Sequence, residues 1–167
     1  MLIRNETEKD HRAITSLNLA AFESSAEADL IKVLRTQAHP IISLVAEIKG
    51  KVVGHIFFSP VTLEDFQKVL LMGLAPMAVS PEVQRTGIGA ALVHKGLDQC
   101  REAGASAVVV LGHPTYYPRF GFKPSSNFGI VCEYEVPEDV FMVKELDPGI
   151  LDGRSGIIRY HPAFNDV

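Results

Sequence analysis

The sequence has no excess of positive charge: 16 Lys and Arg stand against 20 Asp and Glu, a formal charge of −4 over 167 residues. A protein that grips nucleic acid by neutralising phosphates needs the opposite balance, so nucleic acid is not expected as a partner. Cysteine is scarce as well. Cys100 and Cys132 are the only two, too few for a disulfide framework and without the paired spacing of a zinc site, which predicts free thiols in a reducing, cytoplasmic compartment. The six histidines show no His-x-x-x-His spacing, so no metal centre is expected. Long apolar runs are missing too. The longest, Val69 to Val79, has 11 residues and is interrupted by Gly73 and Pro76, against the roughly 20 a membrane-spanning helix needs. The start of the chain, Met1-Leu2-Ile3-Arg4-Asn5-Glu6, turns polar too early for an export signal. Neither export nor a membrane partner is expected.

What remains is an ordinary globular composition, 47% hydrophobic and 22% charged, with 13 Gly and 10 Pro spread through the chain. Without repeats, low-complexity tracts or a linker, residues 1–167 read as one domain. Leu2-Ile3-Arg4 predicts a short strand. Thr7-Glu8-Lys9-Asp10 offers a capped start to a helix with Ile14, Leu17 and Ala21 at helical spacing. A second helix follows, capped by Ser24 or Ser25, striped by Ala28, Ile31, Val33 and Leu34, and stopped by Pro40.

From residue 41 the periodicity shortens. Residues 41–48 and 52–58 about the Lys49-Gly50-Lys51 turn predict a hairpin, and Val69 to Val79, apolar on both faces, predicts the middle strand of a sheet. Ile88, Leu92, Gly96, Cys100 and Ala103 then share a helical stripe ending at Gly104, before a buried strand over Ala107 to Leu111. Strand, helix, strand at this spacing is a crossover, which makes the two strands parallel within a mixed sheet. Shorter strands are expected near Gly121-Phe122, over Val140 to Val143 and over Gly156 to Tyr160, with a turn at Asp147-Pro148-Gly149.

The chemistry is concentrated where the middle strand meets the third helix, at Val83-Gln84-Arg85-Thr86-Gly87-Ile88-Gly89-Ala90-Ala91-Leu92. Two glycines let the backbone approach a ligand and leave the first helical amides unpaired, which makes an anion cradle. The helix dipole adds roughly 0.3–1 kcal/mol for a negative charge there, and Arg85 and the Thr86 hydroxyl can add side-chain contacts. A dinucleotide fingerprint would need a small residue where Leu92 stands, and a P-loop would need Gly-Lys-Ser or Gly-Lys-Thr. A third phosphate-binding reading rests on the resemblance of these residues to a known family. The glycines also admit a plainer account, close packing of helix on strand.

Gln84-x-x-Gly87-x-Gly89, following the strand that ends Met77-Ala78-Val79-Ser80-Pro81-Glu82, resembles the acyl-coenzyme A binding motif of the GNAT superfamily of N-acetyltransferases. A second landmark, Tyr116-Tyr117-Pro118-Arg119-Phe120-Gly121-Phe122, resembles the tyrosine-to-Gly-Phe segment of those enzymes in order and spacing. The stretch from Pro137 to Phe164 resembles a bacterial branch of predicted acetyltransferases without an assigned substrate. The resemblance implies an α/β domain with a mostly antiparallel mixed sheet, a central parallel strand pair and flanking helices. Its acyl-coenzyme A core would lie at about 41–122 and a C-terminal extension at about 123–167.

It further implies acetyl-CoA as acyl donor. The backbone of Met77, Ala78 and Val79 would pair with the pantetheine arm, and Gln84, Arg85, Thr86, Gly87, Ile88, Gly89 and Ala90 would form the pyrophosphate site. An amine would attack the thioester directly in a ternary complex, a backbone N–H of the strand would stabilise the oxyanion, and Tyr117 would protonate the departing thiolate. Tyr116 is the second choice for that role, although Tyr116 and Phe120 read first as core aromatics. His113 stands close by as a possible relay. Several members carry a glutamate on the middle strand, whereas here no ionisable side chain lies between Lys68 and Glu82. A lysine-like amine is neutral in about one molecule in 2,500 at pH 7, roughly 4–5 kcal/mol, so either another segment supplies a base through water or the amine is less basic. Glu47, Glu64 and Asp65 are candidates to approach the substrate, though charge on such turns is usually solvated. The acceptor, a small molecule or a protein amine, stays open, as do monomer and homodimer; its choice would depend on variable segments, the helical region around Phe22 to Gln37 and the carboxy-terminal part. A non-catalytic acyl-CoA sensor on the same fold is the alternative.

Overall fold

The structure, a computed structural model, describes the whole chain from Met1 to Val167. Strand β1 (Leu2–Asn5) leads into α1 (His11–Ala21) and α2 (Ala26–Gln37). The entry to α1 is held by Asp10, whose carboxylate accepts the Thr7 N–H at 2.7 Å and two guanidinium bonds from Arg4 at 2.7 and 2.9 Å. These bonds hold the Asp10 carboxyl below the usual carboxylate range. At α2 it is Ser24 whose Oγ accepts the Ala26 N–H at 3.2 Å, while the Ser25 hydroxyl donates to Asp29. Leu30 joins the buried stripe of α2 and Val33 is only partly covered.

The sheet follows as β2 (Ile42–Ile48), β3 (Lys51–Leu63) and β4 (Leu70–Val79). Helix α3 (Ile88–Glu102) crosses to β5 (Ala105–Leu111), and β6 (Lys123–Pro124), β7 (Ile130–Cys132), β8 (Phe141–Glu145) and β9 (Gly156–Arg159) complete it. The strand order is β1-β2-β3-β4-β5-β8-β6, with β9 pairing the far end of β3 and β7 beside β9. The pairs on the main path are antiparallel except β4 with β5. The mixed, mostly antiparallel sheet with a central parallel pair is therefore present, and β4 lies in its middle.

Three details depart from the expected elements. Strand β3 runs on through Pro60 instead of ending at Phe58. Strand β2 stops at Ile42, opposite Phe58, and that edge of β3 has no partner until Thr62 meets β9, so a missing N–H there leaves no gap in a ladder. The three-residue β7 was not anticipated; its parallel pairing to β9 is a tertiary contact without a local pattern. Ala103, expected on the stripe of α3, is the exposed residue that ends the helix.

Period-2 alternation divides the core. Leu44, Ile56, Phe58, Met72, Val108 and Val110 face α3, where Ile88, Leu92, Val93, Leu97 and Cys100 cover them. Val45, Phe57, Leu71, Ala107 and Val109 face the other way, under Ile14, Leu30, Ile31 and Leu34 of the first two helices and Tyr160 and Phe164 of the C-terminal segment. Cys100 and Cys132 are free, and burial pushes the Cys100 thiol up to about 12. No helix is long and apolar enough to cross a membrane.

Candidate active site

Strands β4 and β5 pair only as far as Leu74 and Val110. Beyond that point β4 continues to Val79 against β3 alone, with His55 opposite Ala78 and Gly54 opposite Val79. The Ser80 N–H reaches the Val53 carbonyl at 2.8 Å, which fixes the alternation along the strand end. Ala78 turns its N–H and C=O to His55, whereas Met77 and Val79 turn theirs to the open edge. The side-chain amide of Gln84 donates to the Val79 carbonyl at 3.1 Å on that edge. Of the three backbone positions expected to pair with a ligand, Met77 presents both backbone groups to the open edge, Val79 its N–H alone, and Ala78 neither. Pro76 carries no N–H, so the Met77 and Val79 amides are the strand's outward donors there.

The loop into α3 is shaped by two residues in the left-handed region, Arg85 at φ 63° and Gly87 at φ 91°. Gly87 takes the position before the helix and supplies no side-chain cap, and the first intrahelical bond is from Ala91 N–H to Gly87 carbonyl at 3.0 Å. The amides of Gly87, Ile88, Gly89 and Ala90 are thereby left without helical partners at the positive end of the dipole. Ile88 sends its side chain into the core and Ala90 packs on it, so both offer backbone only. Thr86 differs from expectation: its hydroxyl lies 2.5 Å from the Val83 carbonyl and braces the loop instead of facing outward.

Across the gap between the strands, Tyr117 is buried with its ring against Phe122 (centroids 5.7 Å) and over Gly112, where a Cβ would fall 2.2 Å from Tyr117 Cε2. Burial first, and then the neighbouring Tyr116, push its phenol up to about 12. Tyr116 is only partly buried; a Cβ on Gly89 would stand 3.1 Å from its hydroxyl, and the Arg119 guanidinium caps its ring at 4.5 Å. Phe120 is a core residue.

One cavity of about 980 Å3 takes in part of this site: Met77, Gln84, Arg85, Tyr116 and Tyr117 line it, whereas Ala78, Val79 and Thr86 to Ala90 do not. Gln84 and Arg85 line one end, Leu74 to Met77, Gly112, His113, Tyr116 and Tyr117 the middle, and the rest is lined by Phe22 at the end of α1, Glu27 and Leu30 of α2, and Tyr134, Val136, Tyr160, Phe164 and Asn165 of the C-terminal segment. The helical region around Phe22 to Gln37 and the carboxy-terminal part, the two segments expected to bear on the acceptor, thus both line the cavity. Glu27 is the unforeseen charged member: its Oε1 is buried and has no hydrogen-bond partner. Its place after two serines is what any solvated first-turn acid would have, so the sequence carried no signal for it. Glu47 instead pairs with Arg4 at 3.1 Å, Glu64 and Asp65 are exposed, and none of the three lines the cavity.

A sheet splayed beside a glycine-capped helix, with tyrosines across the gap, belongs to a known class. A sequence profile described as an acetyltransferase (GNAT) domain matches residues 2–125, and the chain belongs to that family of acyltransferases. It is 40% identical over 168 aligned positions to the uncharacterized N-acetyltransferase YhbS of Escherichia coli strain K12, covering 99% of each chain. The crystal structure of YhbS from Escherichia coli, solved in complex with CoA, superposes with a TM-score of 0.92 at 37% identity, over 98% of this chain and 91% of that one. A GNAT family acetyltransferase from Brucella melitensis, solved in complex with acetyl-CoA, superposes with a TM-score of 0.80 at 37% identity, over 98% and 97%.

Proposed function

We propose that residues 1–167 act as one N-acetyltransferase domain of a bacterial cytoplasm, transferring the acetyl group of acetyl-CoA to a primary amine within a ternary complex. The observation that carries this reading is the free edge of β4 beside the unpaired amides of α3, with Tyr117 across the cavity that Met77, Gln84 and Arg85 line. Relatives at 37% identity bound to CoA and acetyl-CoA support the choice of donor. In this reading the pyrophosphate rests on the amides of Arg85 to Ala90, near the Arg85 side chain. The pantetheine arm pairs with Met77 and Val79, and the thioester lies beside Pro76 and Met77.

The neutral amine attacks the thioester carbonyl, whose developing oxyanion takes an outward N–H of β4, at Met77 or Val79. The carbon–sulfur bond breaks as the Tyr117 hydroxyl gives its proton to the departing thiolate, and the proton shed by the attacking nitrogen as the amide forms restores the phenol, directly or through water. Burial favours the protonated phenol, the form a proton donor needs. The proton that the ammonium loses before attack leaves by a group outside β4, since that strand holds no ionisable side chain.

Calorimetric titration with acetyl-CoA, with NAD and ATP as controls, tests the reading. Selective, saturable binding of acetyl-CoA with release of CoA on addition of amines is expected. No binding at millimolar acetyl-CoA overturns it; binding without turnover on any amine favours a sensor.

A further inference from the structure

The half of the cavity remote from Gln84 and Arg85 is walled by Phe22, Leu30, Tyr134, Val136, Tyr160 and Phe164, and Glu27 is the one acidic side chain lining the cavity. Its Oε1 is buried without a hydrogen-bond partner. No Lys, Arg or His pairs this carboxylate, so its negative charge is left for a positively charged group that enters the cavity. Arg85 is the only Lys or Arg lining the cavity, and it stands at the phosphate loop. The nearby Asn165 Oδ1 already accepts the Tyr134 hydroxyl at 2.9 Å. Aromatic walls suit a cation too, through the negative faces of their rings; Tyr160 packs at 5.9 Å from Tyr134 and 5.0 Å from Phe164, centroid to centroid.

The same inventory excludes two kinds of acceptor. A free amino acid carries a carboxylate beside its nitrogen, and no cation at this end would meet it. A polyamine or an amino sugar with several ammonium groups would bring more positive charge than the one acidic side chain here can pair. We propose that Glu27 receives the ammonium group of the acceptor, and that the acceptor is a small monoamine on an apolar or aromatic body with no carboxylate beside the nitrogen. This deepens the proposed acetyl transfer and rests on it.

The test uses the whole protein with acetyl-CoA and four probes: 2-phenylethylamine, phenylalanine, spermidine and a lysine-containing peptide, followed by CoA release. Phenylethylamine and phenylalanine differ only by the carboxylate. The kcat/KM for 2-phenylethylamine is expected to exceed that for each of the others by about 100-fold. Glu27→Gln, equal in size, is expected to raise KM for 2-phenylethylamine by about 10- to 100-fold, and Glu27→Asp to restore part of the loss. Calorimetry of acetyl-CoA binding reads the donor site separately in each protein and checks that the variants are folded. If acetyl-CoA does not bind the unsubstituted protein, acetyl transfer itself fails. If it binds, but the amino acid, polyamine or peptide is preferred, no probe turns over, or Glu27→Gln leaves KM unchanged, the acceptor assignment fails alone.

Discussion

The side-chain amide of Gln84 donates to the carbonyl of Val79 across 3.1 Å, fastening the loop before α3 to the end of the open-edged strand. The bond fixes where the cradle sits relative to the Met77 and Val79 amides without touching the reacting atoms. Gln84→Ala should therefore act on donor binding. A hydrogen bond of this kind contributes about 1 kcal/mol, so the acetyl-CoA dissociation constant is expected to rise about 3- to 10-fold with kcat changed less than about twofold. Calorimetry and steady-state kinetics separate the two; a loss confined to kcat would contradict this assignment.

The two adjacent tyrosines should divide the work. Tyr117→Phe removes only the hydroxyl and leaves the ring packed on Gly112 and Phe122, so kcat is expected to fall about 100-fold or more while acetyl-CoA binding stays within about twofold. Because burial pushes the Tyr117 phenol up to about 12, it remains protonated across an assay range ending near pH 10. Any alkaline limb below that pH must then survive in the variant's residual activity. Tyr116 places its hydroxyl over Gly89 of the cradle, so Tyr116→Phe should weaken acetyl-CoA binding more than it slows turnover. An equal kcat loss in both variants would mean the division is wrong.

How much of this was legible in the sequence follows from what is local. The 3.6-residue stripe of α3 and the apolar run of β4 are repeated over many positions, and the cradle is marked by Gly87, whose φ of 91° few other residues adopt. The outward amides of Met77 and Val79 and the inward ones of Ala78 depend on register with β3, which no single segment encodes. The half of the cavity remote from Gln84 and Arg85 is less legible still. Glu27 looks like any acid in a first helical turn, and Tyr134, Tyr160 and Phe164 look like scattered aromatics until the fold brings α2 against the C-terminal turn Pro162–Asp166.

The third prediction concerns the packing that sets α3 on the sheet. A Cβ at Gly96 would fall 2.3 Å from Cε1 and 2.6 Å from Cζ of Phe58, a fully buried ring. Neither the ring nor the helix can retreat without disturbing Leu92 and Met72 in the same cluster. Overpacking of this kind costs about 1–3 kcal/mol, more than the few tenths to 1 kcal/mol that alanine gains over glycine inside a helix. Gly96→Ala is expected to lower the melting temperature by about 3–8 °C in a chain of this size. Gly96→Ala combined with Phe58→Leu, which frees the space, should recover part of the loss; an unchanged melting temperature in the single variant would contradict the packing argument.

The last prediction is a pH dependence of stability set by His55, which is fully buried on β3 with Nε2 2.8 Å from the Ser43 hydroxyl and 3.9 Å from Glu6 Oε1. Burial, and secondarily the positive charge of Arg35, push its pKa down to about 3. Glu6 does not reverse this, because it is already engaged by Arg35 at 2.9 Å and His11 at 2.7 Å. An unfolded chain binds a proton at this histidine below about pH 6.5 and the native chain does not, so stability increases with pH from about 3 to 6.5. Falling pH in that window should cost about 1 kcal/mol per unit. Asp10, whose pKa is lowered, adds a loss in the same direction only when the pH falls below its ordinary carboxylate range near 3.8. Melting temperatures between pH 7 and 5 therefore isolate the histidine, with an expected fall of about 2–6 °C. His55→Gln, which can still bond Ser43 and cannot titrate, should flatten that slope; the same slope in both proteins would place the titrating group elsewhere.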